Sequence, residues 1–148
     1  MDLDAPVLVV VAPVLRVGAQ APRPGHALGL DAIVADARLQ DHNNYAGSLI
    51  DLQKYEEAMS LLRKTMPVAR RVLGESHDLA LRLKKIYAQT LYEDPTATLN
   101  DLREAVTTLE DAERIGRRVL GCANPLTSSI MAGLRNAQAA LRTREASA

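Results

Sequence analysis

The chain contains no Trp and no Phe, so a core built on large aromatic rings is excluded, and burial falls to Leu, Val, Ala, Ile and four Tyr. Small and γ-branched apolar side chains of this kind suit helices packed on helices, where Ala or Gly permits close approach and Leu fills the gaps. Net charge is missing too. Eighteen basic and eighteen acidic residues cancel, which leaves no overall field to draw in nucleic acid or an anionic membrane. Cys122 is the single cysteine, so no intramolecular disulfide can form and the cysteine-rich zinc patterns are out of reach. The opening Met1-Asp2-Leu3-Asp4 is acidic where a secretory leader is basic, and the apolar run Val7 to Leu15 is interrupted by Pro13 and too short to span a bilayer. The expectation is a cytoplasmic chain with one core and neither a nucleic-acid nor a membrane partner.

Residues 1–35 hold Pro6, Pro13, Pro22 and Pro24, four of the seven prolines. That density defeats a long helix, and although Val7 to Val11 has strand propensity, a lone strand has nothing to pair with. The segment reads as an irregular or disordered N-terminal arm.

From about Asp36 the apolar spacing turns helical and remains so to residue 142, with a polar tail over 143–148 expected to fray. Leu39, Tyr45, Ala46, Leu49 and Leu52 mark the inner face of a first helix, and Gln53-Lys54 make the turn. The second carries Tyr55, Ala58, Met59, Leu62, Thr65 and Met66 inward. Its Glu56 and Glu57 stand at the start and Arg63, Lys64, Arg70 and Arg71 at the end, the order a helix dipole favours. Pro67 is expected to kink or split it, and Gly74 to stop it with a left-handed conformation. Ser76 reads as the cap of a third helix with Leu79, Leu83, Ile86, Tyr87 and Leu91 on one side. Thr98 and Asp101 form a loose capping box for a fourth through Leu99, Leu102, Val106, Leu109 and Ala112 or Ile115. Asn124-Pro125 open a fifth through Leu126, Ile130, Leu134, Ala137 and Leu141.

These helices repeat. Asn43-Asn44-Tyr45-Ala46, Lys54-Tyr55-Glu56-Glu57-Ala58 and Arg71-Val72-Leu73-Gly74 return in order as Lys85-Ile86-Tyr87-Ala88, Leu102-Arg103-Glu104-Ala105 and Arg118-Val119-Leu120-Gly121. Ala46 to Ala88 is a step of 42, while Ala58 to Ala105 and Leu73 to Leu120 are steps of 47. The five extra residues therefore fall between Tyr92 and Leu102, in a turn that tolerates them cheaply. Small residues at helix crossings with larger ones around them point to tetratricopeptide-type hairpins. The stretch Asn43 to Leu79 resembles the kinesin light chain type of tetratricopeptide repeat in its Asn-Asn pair, its Lys54-Tyr55-Glu56-Glu57-Ala58 word and its Val72-Leu73-Gly74 followed by His77. It departs from that pattern at Gln53, where Gly is usual, and at Asp78, where Pro is usual. In the third copy Arg135 occupies a place meant for a small residue. The resemblance implies an all-α, short right-handed α-solenoid of about five antiparallel helices that binds other proteins.

On that geometry the first helix of each pair lines the concave surface. Asn43, Asn44, Gly47, Arg82, Lys85 and Gln89 are then the candidate peptide-binding groove, with Lys and Arg suited to an acidic segment. The rival reading is a structural fragment that stacks on further repeats, or on a copy of itself, through its end faces. His26, His42 and His77 lack the spacing of a helical metal site, and Cys122 has no base beside it. Glu56/Glu57 and Glu110/Asp111 read as ordinary exposed charges. Neither a phosphate-cradling loop nor a nucleophile elbow occurs in the chain, so no catalytic residues, no metal ligands and no cofactor are expected, and the chain reads as a non-enzyme.

Overall fold

The computed structural model describes residues 30–147, and every regular element among them is a helix: α1 (Leu30–Asp51), α2 (Tyr55–Leu73), α3 (Asp78–Glu93), α4 (Leu99–Val119) and α5 (Pro125–Ser147). The expectations for residues 1–29, including that for His26, fall outside the described residues. The six residues 30–35 assigned to the arm belong to α1 instead. Beyond Gly29 the chain meets no Gly or Pro until Gly47, so nothing in the sequence breaks the helix there.

The helices form two antiparallel hairpins, α1 with α2 and α3 with α4, followed by α5. The first members α1, α3 and α5 pack side by side in one layer, and α2 and α4 lie on its other side. α3 touches all four of its neighbours, which explains why its burial exceeds the single stripe expected of it: Ala80, Leu81, Lys84, Ala88 and Thr90 are buried along with Leu79, Leu83 and Leu91.

Burial repeats with the sequence. Ala46 and Ala88, Ala58 and Ala105, and Leu62 and Leu109 are all fully enclosed, and each such leucine contributes about 1.5–3 kcal/mol. Tyr45 and Leu52 depart from the expected inner face of α1, being 44% and 65% exposed. With Val34 they follow a three- and four-residue rhythm on the side of α1 turned away from the stack, where no described helix covers them.

The connections follow the local chemistry. The α1–α2 turn is a Schellman motif: Lys54 N–H donates to the Leu49 carbonyl and Gln53 N–H to that of Ile50, both at 2.8 Å. Gln53 takes the left-handed φ of 61°. In the second hairpin the turn lengthens to Asp94–Thr98, and the capping box forms as read, with Thr98 Oγ1 accepting from Asp101 N–H and the Asp101 carboxylate accepting from Thr98 N–H. The inserted residues thus extend the loop and the start of α4.

His77, not Ser76, caps α3: its Nδ1 accepts the Leu79 N–H at 3.1 Å, because it occupies the extended position immediately before the helix. Asn124 does the same for α5, accepting from Leu126 N–H at 2.8 Å. Pro67 does not split α2, which runs unbroken to Leu73. Gly74 has φ 87° but ψ 166°, outside the left-handed helical well and in a region open to glycine alone. The tail is also helical to Ser147. Arg144 fastens it by donating to the carbonyls of Ala97 and Pro95, and Arg103 lies 3.6 Å from Glu145.

Candidate interaction surfaces

Two surfaces result from the layering. The outward side of the α1–α3–α5 layer carries most of the sequence-derived groove. Lys84, Tyr87 and Leu91 of α3 face α2 and α4, so helical periodicity places Arg82, Lys85 and Gln89 on the opposite side. Asn43 and Gly47 stand one 42-residue step before Lys85 and Gln89 and continue the stripe on α1. Asn44 does not: it corresponds to Ile86, on the face α1 turns away from the stack, and its Oδ1 accepts from Gln40 at 3.2 Å.

Within the stripe the polar groups differ in how far they are committed. Gln89 donates to Glu93 at 2.8 Å, and Arg82 lies 3.8 Å from Asp78. Lys85 has no ion pair among the described residues, and the Asn43 Oδ1 is buried without a hydrogen-bond partner among them. A Cβ at Gly47 would meet none of the described residues within 4 Å, so they leave the backbone of α1 open to close approach there.

The second surface is a cleft of about 680 Å³ between α2 and α4, floored by α3. None of the six groove residues lines it. Sequence reasoning missed its central feature. Lys84, 8% exposed, donates from Nζ to Asp111 Oδ2 at 2.6 Å, with Glu75 at 3.6 Å. Asp111 is therefore no ordinary exposed charge: it also accepts from Arg114. The hydrogen bond from Lys84 is the main reason its carboxyl is held below the usual range. The signal was present in the sequence, since Lys84 lies between Leu81, Leu83, Ala88 and Leu91 on a helix otherwise apolar there. Beside it Tyr87 donates to Glu104 at 2.6 Å. Burial first, and that carboxylate second, raise the phenol above its ordinary pKa.

His42 occupies the position in α1 that Lys84 holds in α3. Thr65 Oγ1 gives its one proton to the Leu61 carbonyl at 2.7 Å, so its contact with His42 Nδ1 at 3.3 Å makes the imidazole the donor. With Nδ1 as the donor, Nε2 is left buried without a hydrogen-bond partner among the described residues. Burial lowers the imidazole pKa, opposed by the adjacent Asp41 and assisted by Arg38. Cys122 is exposed in the turn before α5, with Arg117 Nη1 3.5 Å from its sulfur. No helix among the described residues is long and apolar enough to cross a membrane.

Residues 39–78 match the family model described as Tetratricopeptide repeat. No curated protein and no solved structure gives a significant match. The matched stretch runs from the buried Leu39 of α1 through α2 to the first residue of α3, which is the first hairpin with its connection to the second. One such repeat is matched outright, and the α3–α4 hairpin echoes its buried positions in order, so the described residues form an all-α helical repeat of the tetratricopeptide-like kind.

Proposed function

We propose that the chain is a non-catalytic scaffold that holds a peptide or helix of a partner protein on the outward, concave side of the α1–α3–α5 layer. Tetratricopeptide repeats form protein-interaction scaffolds, and the stripe of Asn43, Gly47, Arg82, Lys85 and Gln89 is the part of this layer equipped to grip a ligand. The observation that carries the reading is the pairing of an uncommitted cation with open backbone. Lys85 has no ion pair among the described residues, and none of them fills the space above Gly47. A carboxylate on the ligand meets Lys85, its main chain approaches α1 at Gly47, and Asn43 and Gln89 supply amide groups to that main chain.

The rival, stacking on further repeats or on a second copy, draws support from the exposed Val34, Tyr45 and Leu52 on the outer side of α1, but the other end-face positions are polar. Where α3 buries Leu83 and packs the partly buried Ile86, α1 exposes Asp41 and Asn44. Where α3 uses Leu81, Ala88 and Leu91 against its hairpin partner, α5 carries Ser128, Arg135 and Gln138. Polar residues at these positions suit terminal surfaces of a stack.

A peptide array probed with the purified chain tests the reading. Peptides retained by the wild type are expected to lose about tenfold or more in affinity, roughly 1.4 kcal/mol, against Lys85→Glu and against Gly47→Trp, which fills the open space. If both variants retain every peptide at wild-type affinity, the groove assignment is wrong.

A further inference from the structure

The cleft between α2 and α4 plays no part in that scheme, and its two walls are opposite in charge. On α2, Arg63 and Arg70 flank Met66 and Pro67. Both arginines are exposed, and neither has a carboxylate partner among the described residues. On α4, the residue one 47-residue step after Arg63 is Glu110, exposed and likewise without an ion pair among the described residues. The other charged groups are already spent. Lys84, Asp111, Arg114 and Glu75 neutralise one another, and Glu104 holds the Tyr87 hydroxyl.

Spacing identifies what fits. Arg63 and Arg70 are seven residues apart on one helical face, about 10.5 Å along the axis. Another helix laid along α2 presents side chains at i and i+7 with the same separation. An extended strand does not, since its same-face residues recur at about 6.6 and 13 Å. Between the two arginines, Met66 and Pro67 offer an apolar seat one turn long, the width covered by residues i+3 and i+4 of such a helix. α2 and α4 do not pack closely on each other, so the groove is open along its length.

We propose that this cleft docks an amphipathic helix from a partner protein. Acidic residues at i and i+7 of that helix pair with Arg63 and Arg70, apolar residues between them rest on Met66 and Pro67, and a basic residue on the other flank meets Glu110. The site is separate from the α1–α3–α5 stripe, so the scaffold holds two segments at once, one on each side of its layers.

The probe is a synthetic alanine-based helical peptide with Glu at i and i+7, Leu at i+3 and i+4 and Lys on one flank. Its twin carries Lys in place of both Glu. Fluorescence anisotropy at low salt is expected to show the first peptide binding at least about tenfold tighter than the twin. Arg63→Glu with Arg70→Glu is expected to reverse that order, while Lys85→Glu leaves it unchanged. Circular dichroism and thermal melting of each variant report whether it is folded, and both arginines are exposed. Equal binding of the two peptides overturns the proposal, as does loss of binding in Lys85→Glu alone. So does a concentration-dependent dimer, seen by sedimentation and abolished by Arg63→Glu, because a second copy of the chain would then be the occupant.

Discussion

Lys84 Nζ and Asp111 Oδ2 meet at 2.6 Å across α3 and α4, but the two partners are not equally enclosed. The lysine side chain is 10% exposed and the aspartate 34%. Removing either partner therefore has unequal consequences. Asp111→Ala strands a buried ammonium with only Glu75 in reach and is expected to cost about 2–4 kcal/mol. Lys84→Met leaves a carboxylate that water and Arg114 still serve, and is expected to cost less than about 1 kcal/mol. Urea denaturation of the two variants measures the difference, and equal losses would contradict it.

Gly116 and Thr127 make a second close pair. A Cβ on Gly116 would stand 3.2 Å from Thr127 Oγ1, and Thr127 is fully buried with that hydroxyl unpartnered among the described residues. The equivalent positions one step earlier are Ala69 and Ala80, both buried. Gly116→Ala alone is expected to destabilise by about 1–2 kcal/mol, overpacking outweighing the gain in helix propensity. Adding Thr127→Ala is expected to restore stability to the wild-type level or above, since it relieves the crowding and removes a buried hydroxyl with no partner. A double-mutant cycle by thermal melting decides.

A pH dependence follows from His42. Its folded pKa lies below the ordinary 6.5, so the unfolded chain binds the proton more readily. The stability contributed by the neutral imidazole is complete above pH 6.5 and is lost as pH falls through the folded value. The melting temperature of the wild type is expected to decline between about pH 6.5 and 5, before carboxylates titrate. His42→Leu is expected to flatten that segment of the curve.

At Gln53 the backbone carries a left-handed φ of 61° that a side chain disfavours. Gln53→Gly is expected to raise stability by about 0.5–1 kcal/mol, the relief of that conformation being partly offset by the freedom glycine has in the unfolded chain. Chemical denaturation with an unchanged m-value would confirm it.

Much of this architecture was legible in the sequence because it is written in period. The spacing of Ala46, Ala58, Leu62, Ala88, Ala105 and Leu109 repeats, and each of these residues is enclosed. The turn chemistry of Thr98 and Asn124 is local, so it could be read without the fold. What escaped depends on contacts between distant segments. Lys84 is buried only because α4 brings Asp111 to it, and Tyr45 is exposed only because no described helix lies over that side of α1. The tail continues as helix where Arg144 finds the carbonyls of a loop some fifty residues away. His77 caps α3 in place of Ser76 because the extended position before the helix falls one residue later than the hydroxyl suggests. The cleft between α2 and α4 has no signature in either helix alone.

The central place of α3 sets an order of opening. Each other helix can detach while the rest stays joined through α3, whereas releasing α3 leaves α1–α2 and α4–α5 as two pairs with little contact between them. Its amides should therefore exchange with deuterium most slowly, at a rate that reports unfolding of the whole molecule, while the first turns of α1 exchange through local fraying.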